Sequence, residues 1–337
     1  MSIELIHAIR GNLVETIYRG DIAVVNTNGE LLYKAGDPVN KISYIRSSAK
    51  PIQALPVVAS GAAEKYGLTE EEIAIFCASH SGEEEHTKTV RSILSKIGLD
   101  ESYLQCGSHP PIYRPAADEL VKQGITPSEV HCNCSGKHSG MLTLAKQKGY
   151  DLKNYTAIES QVQKDMLHAM ATCANVKPED IILGVDGCGV PVHGLSVYHM
   201  ALAWANMTTP NNLPSDMANA ASKIAKAMIA YPSKVAGTGR YCNALLEAGN
   251  GMWINKSGAQ GIYCCGLLNK DMAIALKIES GVGAAGYSAM TEVLHQLGLL
   301  DNNQLNALKK FHNPLTKNHR KDIVGELKPI IKLEKVK

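Results

Sequence analysis

The sequence predicts an α+β fold, with a mostly antiparallel sheet assembled from the N- and C-terminal segments and a helical insertion between them. Three observations lead there: strand-like runs flank short turns at both ends, helical spacing dominates the middle, and the regular βαβ alternation of a parallel sheet is missing. Near the N-terminus, residues 21–26 and 30–34 are β-like and flank Thr27-Asn28-Gly29. Asn-Gly is a strong hairpin signal because both residues tolerate positive φ, so a β-hairpin is expected to open the fold. In the middle, Val90, Ile93, Leu94 and Ile97 share one helical face that ends at Gly98. Thr156 and Glu159 suggest a capping box ahead of the stripe Val162, Met166, Ala169, Met170 and Cys173. Met217, Ala220, Ala221, Ile224, Ala227 and Met228 line a further face before Pro232, and both stripes are expected to be core. Late in the chain, residues 260–267 and 272–279 read as a second hairpin around Asn269-Lys270-Asp271. The sheet-containing part is therefore placed at 1–75 plus 236–337 and the helix-rich part at 76–235, with the active site expected between them.

Composition narrows the function. The 337 residues are 45% hydrophobic and 20% charged, which is ordinary for a packed globular chain. A formal charge of +2 with scattered Lys and Arg gives no basic stripe, so nucleic acid is not an expected partner. The N-terminal residues carry Glu4 and Arg10 instead of a signal-peptide core, and no run approaches the roughly 20 apolar residues of a membrane span. A soluble, cytoplasmic protein is expected, with its nine cysteines reduced.

Four clusters could carry chemistry. In Arg46-Ser47-Ser48-Ala49-Lys50-Pro51, a helix beginning at Ser47 would bring the Lys50 amine within reach of the Ser47 hydroxyl, a base beside a nucleophile. Alone, the same spacing describes an N-cap serine with an exposed lysine. Asn255-Lys256-Ser257-Gly258 places a Lys-Ser-Gly triplet just before the late strand pair; in serine penicillin-binding enzymes such a triplet follows Ser-x-x-Lys in this chain order. Cys77-Ala78-Ser79-His80-Ser81-Gly82-Glu83 leaves an apolar run at Ile73 to Phe76 and offers Ser79 as a second hydroxyl. Cys132-Asn133-Cys134-Ser135-Gly136-Lys137-His138 stands ahead of a helix expected at residues 141–148. With the Asp186-Gly187-Cys188-Gly189-Val190-Pro191 turn it gathers thiols and an imidazole suited to zinc, although Cys-x-Cys lacks the usual two-residue spacer.

Taken together these blocks, from Arg46-Ser-Ser-Ala-Lys-Pro-Ile-Gln to Lys256-Ser-Gly-Ala-Gln-Gly, resemble the third class of L-asparaginases, the Rhizobium-type family, from about Arg10 to Leu300. The resemblance implies a fold similar to serine β-lactamases and glutaminases and two Ser-Lys pairs, Ser47 with Lys50 and Ser79 with Lys256. It also implies a zinc ion held by Cys134, Lys137 and Cys188, so that Cys132 and His138 are not ligands, with His138 and Asp186 near the substrate, and a homodimer. On charge grounds Arg46 and Asp186 are candidates for the α-carboxylate and α-ammonium of L-asparagine. The expected reaction is acyl transfer from the side-chain amide to a serine, Ser79 or Ser47, followed by hydrolysis to L-aspartate and ammonia. A glutaminase or another serine amidase of the β-lactamase-like fold is the nearest alternative, since one methylene gives modest discrimination. A non-catalytic zinc-binding module is the alternative of another class.

Overall fold

The structure, a computed structural model, describes residues 1–336, which divide into two compact units. One comprises Met1–Ser48, Gly194–Thr209 and residues 244–336; the other comprises Ala49–His193 and Pro210–Asn243.

The first unit is built on an antiparallel sheet that uses both ends of the chain, as the hairpin signals predict. From one edge its strands run Leu315–Lys317, Ile323–Pro329, β1 (Ile3–Arg10), β2 (Leu13–Val25), Ala273–Ile278, Ile262–Leu267 and Trp253–Ser257. In addition β3 (Leu31–Ala35) pairs with β2, and Glu334–Lys335 pairs with β3. The β2–β3 hairpin forms as expected, with Ile22 opposite Ala35 and Val25 opposite Leu31. The Asn26 side chain closes its turn by accepting the N–H groups of Asn28 and Glu30, and Gly29 takes φ 78°. It is the second hairpin of the fold, however, since β1 and the outer half of β2 pair first around Gly11 and Asn12. That pairing contains register shifts between Glu4 and Ile6 and between Ala8 and Ile9, which break the two-residue alternation that reveals strands. The late hairpin pairs Ile262–Leu267 with Ala273–Ile278, as the turn residues predict.

One face of this sheet is covered by the helix Val197–Thr208, apolar around most of its circumference, with Met200, Ala201, Ala203 and Trp204 wholly buried. Gly266 admits it: a Cβ there would stand 2.6 Å from Thr208 Cγ2 and 3.0 Å from the Trp204 carbonyl. This packing places Val197–Thr208 in the sheet unit, whereas a boundary at 76 and 235 would assign it to the helical part.

The second unit is helical. Val90, Ile93 and Leu94 on Glu84–Lys96 are buried, and Gly98 follows at φ 69°. The stripes on Gln161–Ala174 and Ser215–Ala230 are buried as expected. The first of these helices is capped by Ser160, whose hydroxyl accepts the Gln163 N–H; residues 156–159 are turns, so the expected Thr156–Glu159 capping box does not form. The helix expected at residues 141–148 starts six residues earlier, as Ser135–Lys148. Its glycines serve close packing: a Cβ on Gly136 would lie 2.2 Å from the Ile75 carbonyl oxygen, and one on Gly140 would lie 2.9 Å from the Phe76 ring. Among the described residues no helix is long and apolar enough to cross a membrane.

Candidate active site

In the second unit, Lys50 begins the short helix Lys50–Gln53, with Pro51 in its first turn. Its side chain is fully buried, and Nζ reaches the Ala78 carbonyl at 2.5 Å, Ser79 Oγ at 3.0 Å, Cys134 Sγ at 3.3 Å and the Asn133 carbonyl at 3.5 Å. Lys50 and Ser79, which the resemblance assigns to different pairs, are thus in direct contact. Ser79 follows the helix Glu70–Phe76, capped by Thr69 and Glu72. Its loop is pinned through its own N–H to the Val235 carbonyl, 3.0 Å, and through the Ser81 hydroxyl to the Ala236 carbonyl, 2.9 Å. His80 accepts the Gly82 N–H at Nδ1, so its Nε2 carries the proton and donates to Ser135 Oγ at 2.8 Å; Ser135 donates onward to the Val130 carbonyl. Burial, then the neighbouring His86 and Lys50, pushes the His80 pKa well below the ordinary imidazole range, which suits this neutral role.

The sulfur cluster lies next to that lysine. Lys137, on the first turn of Ser135–Lys148, donates to Cys188 Sγ at 3.0 Å. Cys188 sits in a tight turn closed by the Asp186–Val190 and Gly189–Asp186 backbone hydrogen bonds, with Gly189 at φ 84°. Asp186 is partly exposed and caps the same turn by accepting the Gly187 N–H. The Cys132 and Cys188 thiols donate to Cys134 and hold its pKa well below the usual thiol range against burial, aided by Lys50 and Lys137. Cys188 is correspondingly pushed up, first by that hydrogen bond and then by burial. Cys134 is thus the sulfur of the set that gives up its proton most readily, with the Lys50 and Lys137 amines beside it. Burial lowers His138 to about 3, with Lys137 adding to the effect, and lowers His193 to about 4. Among the described residues no group of three or more His, Cys, Asp and Glu side chains is placed to hold a metal; what converges is two thiols and a lysine amine.

The first unit carries the other expected residues. Arg46 opens the 3-10 turn Arg46–Ala49 at φ 52°, a left-handed conformation rare for a non-glycine residue and common where a side chain is held for function. Ser48, beside Ser47, donates to the Lys256 carbonyl at 2.8 Å, while Trp204 Nε1 donates to the Ser48 carbonyl at 3.1 Å. A Cβ on Gly258 would come within 2.8 Å of the Ile45 carbonyl. The Ser47 segment and the Lys-Ser-Gly strand are therefore laced together, and Lys256 is wholly buried, with Nζ donating to the Ser257 carbonyl at 3.1 Å. Among the expected residues, Ser47, Arg46 and Lys256 belong to this unit, and Lys50, Ser79, Cys134, Lys137, His138, Asp186 and Cys188 to the other. Sequence reasoning passed over Ser48, Ser135 and Tyr155. The first two lie inside the quoted blocks, and nothing near Tyr155 distinguishes it.

Comparison with known proteins places the chain. No curated protein sequence matches it. Among solved structures it is similar to the crystal structure of Mglu in its native form, with a TM-score of 0.44 and 15% identity, covering 85% of this chain and 66% of that one. It is also similar to a β-lactamase from Mycobacterium bovis, with a TM-score of 0.43 and 12% identity, covering 82% of this chain and 94% of that one. The sequence pattern of L-asparaginase II matches residues 6–329, and the chain belongs to the L-asparaginase II family.

Proposed function

We propose that the protein is an L-asparagine amidohydrolase of the Rhizobium-type class that releases L-aspartate and ammonia through a serine acyl-enzyme. The observation that carries the reading is the buried Lys50–Ser79 contact, 3.0 Å from amine to hydroxyl, in a chain of the L-asparaginase II family. A serine hydroxyl is a weak nucleophile until a neighbouring base takes its proton, and a lysine amine at hydrogen-bond distance is such a base. In the proposed cycle the hydroxyl oxygen bonds to the amide carbon of the substrate side chain and its proton passes to the amine. The C–N bond then breaks, and the amine returns the proton to the departing nitrogen, which leaves as ammonia. Water, deprotonated in the same way, cleaves the ester and restores the serine. Ser47 and Lys256 are proposed to complete the reacting set. Peptide mapping of a trapped acyl group assigns the ester to Ser47 or Ser79. Arg46 and Asp186 are proposed to hold the α-carboxylate and α-ammonium, and His138 to contact the substrate.

Cys134, Lys137 and Cys188 fit a zinc ion by the chemistry of the set, since two thiols and an amine that already share protons are soft-to-borderline donors. A bound ion would supply Lewis acidity or orient the substrate. We further propose a cytoplasmic location, for which the nine buried free thiols are the supporting feature, and a homodimer without nucleic-acid or membrane partners. The testing experiment measures ammonia release from L-asparagine by wild type and by Ser47→Ala, Ser79→Ala and Lys256→Ala. The reading expects turnover only in wild type, and a folded wild type without turnover overturns it.

A further inference from the structure

His138 is fully buried on the second turn of Ser135–Lys148, and its Nε2 has no hydrogen-bond partner among the described residues. Its other ring nitrogen, Nδ1, lies 2.7 Å from the Tyr155 hydroxyl. Tyr155 is itself fully buried, and its oxygen accepts the Gln105 N–H at 2.9 Å. That phenol has two partners, one of them a donor, so its own proton has a single acceptor, His138 Nδ1. A neutral imidazole with an accepting Nδ1 carries its proton on Nε2.

We propose that Tyr155 is a positioning residue that locks His138 as an Nε2–H donor, and that this donor is aimed at an oxygen acceptor of the bound substrate, a carbonyl or carboxylate. The identity of the acceptor rests on the function proposed above; the tautomer does not. A buried N–H left without a partner is costly, and a ligand oxygen removes the cost. The charged groups whose fields act on His138 are Lys137, Cys134 and Lys50, the last of these being the amine that touches Ser79. With its proton on Nε2 the ring has no free lone pair, so His138 stands apart from the proposed metal ligands. The lock is braced from behind: Gln105 Nε2 donates to the Lys153 carbonyl at 2.7 Å, and Thr156 Oγ1 donates to Gln105 Oε1 at 2.9 Å, fixing residues 153–156 around the phenol.

The test is 15N NMR of the histidine rings in the full-length protein, with the His138 signals assigned by their loss in H138Q. Wild type is expected as the Nε2–H tautomer, and Tyr155→Phe as a mixture or as Nδ1–H. An Nδ1–H ring in wild type, or an unchanged ring in Tyr155→Phe, overturns the proposal, and the wild-type spectrum alone decides the tautomer if Tyr155→Phe does not fold. In kinetics, Tyr155→Phe is expected to raise KM for L-asparagine about five- to tenfold, with kcat within about twofold, the size of one lost hydrogen bond. In the H138Q background the same change is expected to add less than about twofold, because the coupled partner is gone. An equal cost in both backgrounds overturns the positioning role. If a folded wild type releases no ammonia from asparagine, the functional reading falls while the spectrum still decides the tautomer.

Discussion

Replacing Lys50 by Met removes the amine while keeping the length of the side chain. In wild type Nζ serves the Ala78 carbonyl at 2.5 Å, Ser79 Oγ at 3.0 Å, Cys134 Sγ at 3.3 Å and the Asn133 carbonyl at 3.5 Å. A hydrogen bond contributes about 0.5–1.5 kcal/mol net, so the loss of two good ones costs about 1–3 kcal/mol and is opposed by the desolvation that a buried amine no longer demands. The two effects offset to a net destabilisation of no more than about 3 kcal/mol, so Lys50→Met should fold. Turnover should suffer far more. A positioned base contributes roughly 10²- to 10⁴-fold, or about 3–5.5 kcal/mol of barrier. Lys50→Arg supplies a group that stays protonated and cannot accept the serine proton, and is expected to be as inactive as Lys50→Met. The assay is ammonia release alongside a thermal melt. A folded Lys50→Met retaining more than about a tenth of wild-type kcat/KM would refute the base assignment.

Gly136→Ala forces a Cβ to 2.2 Å from the Ile75 carbonyl and should cost at least about 1–3 kcal/mol in urea denaturation. Gly187→Ala, which meets nothing within 4 Å, should stay within about 0.5 kcal/mol, and equal losses would contradict the packing account. His193 has a folded-state pKa of about 4, below its unfolded value, so the unfolded chain binds more protons as pH falls. Stability is therefore complete above about pH 6.5 and lost towards pH 4, at up to about 1.4 kcal/mol per pH unit for each such histidine. Urea melts between pH 7 and 5, where carboxylates hardly titrate, should show this slope in wild type and less of it in His193→Gln; a flat profile contradicts it. Metal analysis should find zinc in wild type and in Cys132→Ser, and none in Cys134→Ser or Cys188→Ser. Loss of zinc in Cys132→Ser alone would return the site to the Cys-x-Cys reading.

What could be read from the sequence follows from how local each determinant is. The β2–β3 hairpin was legible because Asn28-Gly29 dictates the turn by itself, and the buried helical stripes were legible because their period is a property of one segment. The first hairpin was hidden by bulges that shift the alternation. The start of Ser135–Lys148 was hidden because Gly136 and Gly140 answer to Ile75 and Phe76, about sixty residues away in sequence. The same division holds in the site. Ser47, Lys50, Ser79 and Lys256 stand in recognisable blocks, but the contact of Lys50 with Ser79 comes from the packing of two segments. The link of Ser48 to the Lys256 carbonyl likewise joins a turn to a distant strand. Tyr155 acts through one hydroxyl placed by a loop of turns, and no spacing could announce it.

The central claim, amide hydrolysis by serine and lysine, is tested most directly by ammonia release from L-asparagine and L-glutamine and by ring opening of a β-lactam, measured on wild type and on Ser79→Ala confirmed as folded. The account predicts release from asparagine by wild type, less from glutamine, no ring opening of the β-lactam, and no release from asparagine by Ser79→Ala. A folded wild type that leaves asparagine intact, or a Ser79→Ala variant as active as wild type, would contradict it.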